Sequence, residues 1–147
     1  MFEAELKKYK DFGSFTLKPS ESLSKNCNAP SDKGGVYLIY KVVDGQEVLI
    51  YIGASGQKTS DGTLKIRKGG LKDRLINGYH PNRLGLDKRI KRQKAFPLQM
   101  QKEGISELRF YWWVTYDTDF PDFPTDVETM LREKYCLKFH RLPDWHS

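Results

Sequence analysis

The chain has 147 residues and is short of cysteine, of long apolar runs, and, over one stretch, of acids. Its two cysteines, Cys27 and Cys136, are far apart and lack Cys-x-x-Cys spacing. That excludes a disulfide framework and a thiolate zinc site, and makes a reducing cytoplasm the expected context. No apolar run approaches the ~20 residues of a transmembrane helix, so no membrane partner is expected. The N-terminus, "MFEAELKKYKDF", is charged and amphipathic and lacks the apolar core of a signal peptide. Internal repeats, linkers and low-complexity tracts are also missing. With 38% hydrophobic and 13% aromatic residues, the chain has the means to bury a core within one domain.

Acids are scarce between Lys65 and Lys94. Eleven Lys or Arg stand there against Asp73 and Asp87, a local charge of +9 where the whole chain carries +6. A block of one sign suits a polyanion, because neutralised phosphates release counterions; a solvated basic face is the other reading. Lys65, Arg67, Lys68, Lys72, Lys88, Arg89, Lys91 and Arg92 are the candidate nucleic-acid contacts. Only Tyr79 and Phe96 interleave them, so stacking on single strands is weakly signalled.

Residues 1–33 read as an N-terminal extension packing on a core domain of 34–147. Within it, "ELKKYKDF" suggests a short helix, "SFTL" a strand and "SESLSKN" a capped helical turn. Residues 35–43 and 47–54 read as a β-hairpin, apolar on both faces and therefore expected inside a sheet covered on each side. Residues 107–116 form the third strand. "LKDRLING" reads as a helix, with Leu71 and Leu75 one turn apart. "LDKRIKRQK" reads as a second, very basic helix, followed by Phe96-Pro97. Residues 125–139 form the strongest helix, with Val127, Met130, Leu131 and Tyr135 as its apolar stripe.

The hairpin holds two tyrosine triplets, Gly35-Val36-Tyr37 and Tyr51-Ile52-Gly53, on either side of Asp44-Gly45. The turn decides whether the phenols meet. A two-residue loop pairs Val43 with Gln46 and sends Tyr37 and Tyr51 to opposite faces. A three-residue loop pairs Val42 with Gln46 and sets the tyrosines directly opposite on one face. Asp-Gly suits either turn. Two β-favoured tyrosines simply packing is the alternative to a site.

The order of motifs resembles the GIY-YIG nuclease family over about residues 34–146. Gly35-Val36-Tyr37 looks like the first triplet, and Tyr51-Ile52-Gly53 is the second in full. Leu71-Lys72-Asp73-Arg74-Leu75 looks like the helix bearing the family's arginine. The helix from Glu128 looks like the one bearing its metal-binding glutamate. The resemblance implies an α+β fold, a small antiparallel three-stranded sheet flanked by helices. It implies cleavage of phosphodiesters in DNA, duplex foremost, with one divalent metal, Mg²⁺ or Mn²⁺. By that resemblance Tyr37 is the preferred general base, Tyr51 positions the attacking water or the phosphate, Arg74 grips the phosphate, and Glu128 holds the metal. Restriction, repair and mobile-element roles are all open to such a chain, as is a homodimer.

Each residue also has an ordinary reading. Arg74 could be a surface charge, and Thr125 with Glu128 has the spacing of a capping box. The chain departs from the family in several places. Ala54-Ser55 follow the second triplet where Lys or His is usual. Gly78 stands where His often follows the arginine. Residues 56–69 resemble an insertion. His80 and His146 are the candidates for the missing proton donor. A nucleic-acid-binding module on the same fold, without catalysis, is the second function class.

Overall fold

Asp44 and Gly45 both take the left-handed conformation, with φ of 50° and 76°. That is the two-residue hairpin turn to which Asp-Gly is suited, and it joins β2 (Gly35–Val43) to β3 (Gln46–Ser55). Val43 pairs with Gln46, so the turn alone would send the tyrosines apart. A β-bulge reverses this. Tyr40 pairs with Leu49 but Ile39 pairs with Tyr51, leaving Ile50 as the extra residue. Beyond the bulge Tyr37 faces Gly53, and Tyr37 and Tyr51 become diagonal neighbours on one face. The three-residue loop is therefore absent, and the shared face comes from the bulge.

The computed structural model describes residues 1–80 and 83–146. It is an α+β fold with a four-stranded antiparallel sheet in the order β1-β6-β2-β3, and the sheet is not closed. β6 is Leu108–Val114. The expected three strands gain a fourth, β1 (Phe12–Leu17), which pairs with β6 along its whole length. The N-terminal segment thus completes the sheet instead of only packing on it. Five helices are described: α1 (Glu3–Leu6), α2 (Leu23–Asn26), α3 (Gly70–Asn77), α4 (Arg92–Glu103) and α5 (Pro124–Phe139).

Strand alternation splits the core in two. Tyr37, Ile39, Phe110 and Trp112 pack with Leu71 and Leu75 of α3 and Phe96 and Met100 of α4. Val36, Leu38 and Ile52 pack on the other face with Val127, Leu131 and Tyr135 of α5 and with Phe2, Leu6 and Tyr9. Both faces are covered, as the apolar runs require, but of the two hairpin strands only β2 is interior. β3 is an edge strand whose outward groups are taken by the C-terminal segment. Trp145 N–H donates to the Ile50 carbonyl at 2.9 Å, and the Ile52 N–H donates to His146 Nε2 at 3.0 Å. Such capping keeps an edge from pairing with another chain.

Two helix boundaries depart from expectation. The helix expected over 86–94 begins only at Arg92 and runs through Pro97. Its buried residues Ala95, Phe96, Gln99 and Met100 recur at helical spacing, which outweighs the hydrogen bond Pro97 cannot donate. In α5, Pro124 occupies the first turn and Phe123 is the N-cap, with no side-chain cap bond. Thr125 is already helical, and its carbonyl accepts from Thr129 Oγ1. No capping box forms, so capping does not account for Glu128.

Candidate active site

The tyrosine pair is built by a glycine and an arginine. Tyr37 lies over Gly53, where a Cβ would come within 2.3 Å of the Tyr37 ring. Only glycine leaves that space, which gives the last residue of the second triplet a steric reason. The two phenol rings stack with centroids 6.1 Å apart and planes 17° from parallel. Arg92 closes the pair from the other side. Its Nη1 donates to Tyr37 Oη at 2.7 Å, and its Cζ lies 5.2 Å from both ring centroids.

Tyr51 opens onto a cleft of about 530 Å³ that Arg74, Glu128, Arg132, Lys65 and Arg67 also line. α3 presents Arg74 and α5 presents Glu128 and Arg132. A short ribbon, β4 (Gln57–Lys58) with β5 (Leu64–Lys65), forms the wall nearest Lys65. This ribbon is the segment that resembled an insertion. Tyr37 is 0% exposed and does not line the cleft, whereas Tyr51 is 9% exposed and does. The phenol accessible to a bound molecule is therefore Tyr51, not the Tyr37 named as base from the resemblance.

Among the described residues lining the cleft, Glu128 is the one carboxylate. Its Oε2 accepts from Arg132 Nη2 at 3.0 Å, and the same Nη2 donates to the Ile52 carbonyl at 3.1 Å. Burial raises the Glu128 pKa above the usual carboxylate range, while Arg132, Arg74 and Arg92 oppose the shift. Burial likewise pushes Tyr51 up, with Tyr37 adding to it and Arg92, Arg74 and Arg132 opposing. Arg74 is held charged beyond its ordinary range by Tyr37 first, against its own desolvation, with Tyr51 and Glu128 contributing. Among the described residues no cluster of three or more His, Cys, Asp or Glu could cage a metal. The donor set fits a different case: one hard carboxylate in a cleft open to solvent. That suits Mg²⁺, which keeps several waters and draws further oxygens from a substrate phosphate.

The two histidines do not match the expected proton donor. His80 is 3% exposed, set edge-on against Phe96 and Trp145, and among the described residues its Nε2 has no hydrogen-bond partner. Burial brings its pKa down to about 4. His146 does reach the site, stacking on Tyr51 with centroids 4.3 Å apart. Yet its Nε2 is spent accepting the Ile52 N–H, and burial, then Arg132 and Arg92, lower its pKa to about 4. Both rings are neutral near pH 7 and neither is an imidazolium acid.

The basic candidates divide. Lys65 and Arg67 line the cleft, with Arg67 Nε bound to Asp73 at 2.6 Å. Lys68 is exposed and Lys72 half-buried. Lys88, Arg89 and Lys91 are exposed, and Arg89 lies over the Tyr79 ring at 5.3 Å. Arg92 is the exception, 1% exposed and turned into the tyrosine pair, so it is not a surface contact for nucleic acid. Arg132 escaped the sequence reading although Glu128-x-x-x-Arg132 on a helix is an ion-pair spacing. Arg92 had no such signal, being one cation within a run of them.

No family model matches the chain, and neither a curated protein nor a solved structure is significantly similar to it. Among the described residues no helix is long and apolar enough to cross a membrane.

Proposed function

We propose that the chain is a divalent-metal-dependent DNA endonuclease of the GIY-YIG kind. The observation that carries this reading is the meeting of Tyr51, Arg74 and Glu128, from a strand and two separate helices, in one cleft whose described residues include four cations and a single carboxylate. Structural packing alone has no need to gather those charges where a polyanion can enter.

In this reading Arg74 grips the scissile phosphate through its planar fork and offsets the charge that grows there. Lys65 and Arg67 hold the flanking backbone, and Arg132 is a second guanidinium within reach of the phosphate. Tyr51 meets the attacking water. Taking a proton from that water needs the phenolate, which the three guanidiniums favour and burial opposes. Tyr37 stands behind Tyr51 and shapes its surroundings. Glu128 would hold Mg²⁺ or Mn²⁺, which when bound supplies Lewis-acid polarisation of a phosphoryl oxygen.

A non-catalytic nucleic-acid-binding module is the second reading, favoured by the neutral state of both histidines, which leaves the leaving oxygen without an imidazolium donor. Glu128→Gln separates the two. It keeps side-chain size and gives up one partly exposed ion pair, worth at most ~1 kcal/mol. The expected outcome is an unchanged melt, retained duplex binding, and metal-dependent cleavage of genomic DNA reduced at least ~10²-fold. Equal cleavage by both proteins removes Glu128 from the mechanism. A wild type that binds duplex but cuts nothing across genomic substrates supports the module.

A further inference from the structure

Arg92 is a buried cation, 1% exposed. Its Nη1 donates to the Tyr37 hydroxyl at 2.7 Å and to the Arg74 carbonyl at 3.2 Å, and its Nε has no partner. Among the described residues no carboxylate forms an ion pair with it. The Tyr37, Tyr51 and Phe96 rings surround it at 5.2, 5.2 and 5.8 Å. Burying a charge on these terms is costly, and an apolar side chain of similar volume generally serves a core as well or better.

Its delivery is specific. The segments at Tyr79 and Lys91 form an antiparallel bridge. Arg92 N–H donates to the Gly78 carbonyl at 2.9 Å, and His80 N–H to the Ile90 carbonyl at 3.1 Å. Gly78 is the position where the resemblance expected histidine. A Cβ there would come within 2.4 Å of the Arg74 carbonyl oxygen, so the position holds no side chain, and its carbonyl is what receives the Arg92 N–H. The cation beside the tyrosines arrives from the start of α4.

We infer that Arg92 is a positioning residue for the tyrosine pair, fixing Tyr37 as a hydrogen-bond acceptor and bracing Tyr51 against it. A guanidinium has donors only, so it can meet the Tyr37 hydroxyl only through an oxygen lone pair. The Tyr37 proton is thereby directed away from Arg92, and the stacked Tyr51 is held at the cleft wall. Arg92 itself has no surface from which to touch DNA. The inference rests on the nuclease reading, in which Tyr51 meets the water.

The test is Arg92→Met, with Arg92→Lys as the charge-preserving variant, each in wild-type and Tyr37→Phe backgrounds. The Met variant should melt within about 4 °C of wild type or above it, a shift of roughly 1 kcal/mol or less for a chain of this size. Duplex binding and its salt slope should be unchanged. Cleavage should fall at least ~10²-fold, Lys should restore part of it, and in the Tyr37→Phe background Arg92→Met should add no further loss. A much lower melt, undiminished cleavage, or losses that multiply across the two positions would overturn the inference. A wild type that cuts nothing sinks the nuclease reading instead, and the position of Arg92 is then read by ultraviolet titration of tyrosine. The groups facing Tyr51 are Tyr37 from β2, Arg74 from α3, Arg92 from α4, Arg132 from α5 and His146. Arg92→Met should move the titration of Tyr51 to higher pH, and an unmoved curve counts against the inference.

Discussion

Gly53 shows how much of the site rests on single atoms. Its missing Cβ is the space the Tyr37 ring occupies, and Gly35, paired across to Val114, has the same relation to the backbone of β6. The glycines of both triplets are thus places where a side chain would drive elements apart. Gly53→Ala should therefore act through Tyr37. We expect a loss of about 1–3 kcal/mol, the usual cost of overpacking. With Tyr37→Ala in the same chain the combined loss should be smaller than the sum of the two, because the clashing ring is gone. The measurement is a double-mutant cycle by chemical denaturation, and additive losses would mean that the alanine strains the strand in some other way. The tyrosines and Arg74 were visible in the sequence because short motifs name them. Arg92 was not, since burial is a property of the fold and one arginine among eleven cations carries no mark of it.

The elements divide along the same line between local and non-local causes. Strands β2, β3 and β6 and helices α3 and α5 follow from β-branched runs and helical spacing. The parity of the hairpin does not, because the two-residue turn and the bulge at Ile50 have opposite effects and only their combination aligns the tyrosines. Ile50 and Tyr51 both enter the same core cluster, a choice made by α3, α4 and Trp145 rather than by the strand. The end of α4 was misplaced because Pro97 reads as a stop in one dimension, while Phe96 and Met100 hold the helix in three. Thr125 was misread for a similar reason: Pro124 moves the N-cap back to Phe123. The β4–β5 ribbon carries a prediction of its own. Lys65 and Arg67 stand over the cleft, whereas Lys88, Arg89 and Lys91 lie on the segment leading into α4. Lys65→Gln with Arg67→Gln should lower the slope of log K against log salt by up to about 2 for duplex DNA, at ~0.9 per phosphate contact. It should reduce cleavage in step with binding. Arg67 shares its charge with Asp73, so Lys65 should account for the larger part. A slope unchanged in the double variant, measured by fluorescence anisotropy across salt, would place the backbone away from the ribbon.

Across the whole molecule, the two neutral histidines couple the sheet edge, the site and acid stability. His80 wedges between α4 and the C-terminal segment through Phe96 and Trp145, and His146 caps β3 at Ile52 while stacking on Tyr51. Each has a folded pKa of about 4 against an ordinary 6.5. The unfolded chain therefore binds more protons than the folded one between those values. Stability from these groups is complete above pH 6.5 and is lost as pH falls toward 4. The scale is at most about 1.4 kcal/mol per pKa unit for His80, and less for His146, which water partly reaches. Carboxylates held low by partners, such as Asp73 and Asp122, release their stability only below their ordinary range near 4, so the two windows are separable. We expect the melting temperature to be flat from pH 8 to 7 and to drop from pH 6.5 to 4.5. A protonated His146 cannot accept from Ile52, so the β3 edge and Tyr51 should loosen in the same window. In the nuclease reading Tyr51 meets the attacking water, so metal-dependent cleavage should fail together with the fold's edge. His80→Phe, placed among aromatic neighbours, should flatten the upper part of the stability curve and leave the loss of cleavage in place. If that variant melts with the same pH dependence as wild type, His80 is not the buried neutral group that its surroundings make it.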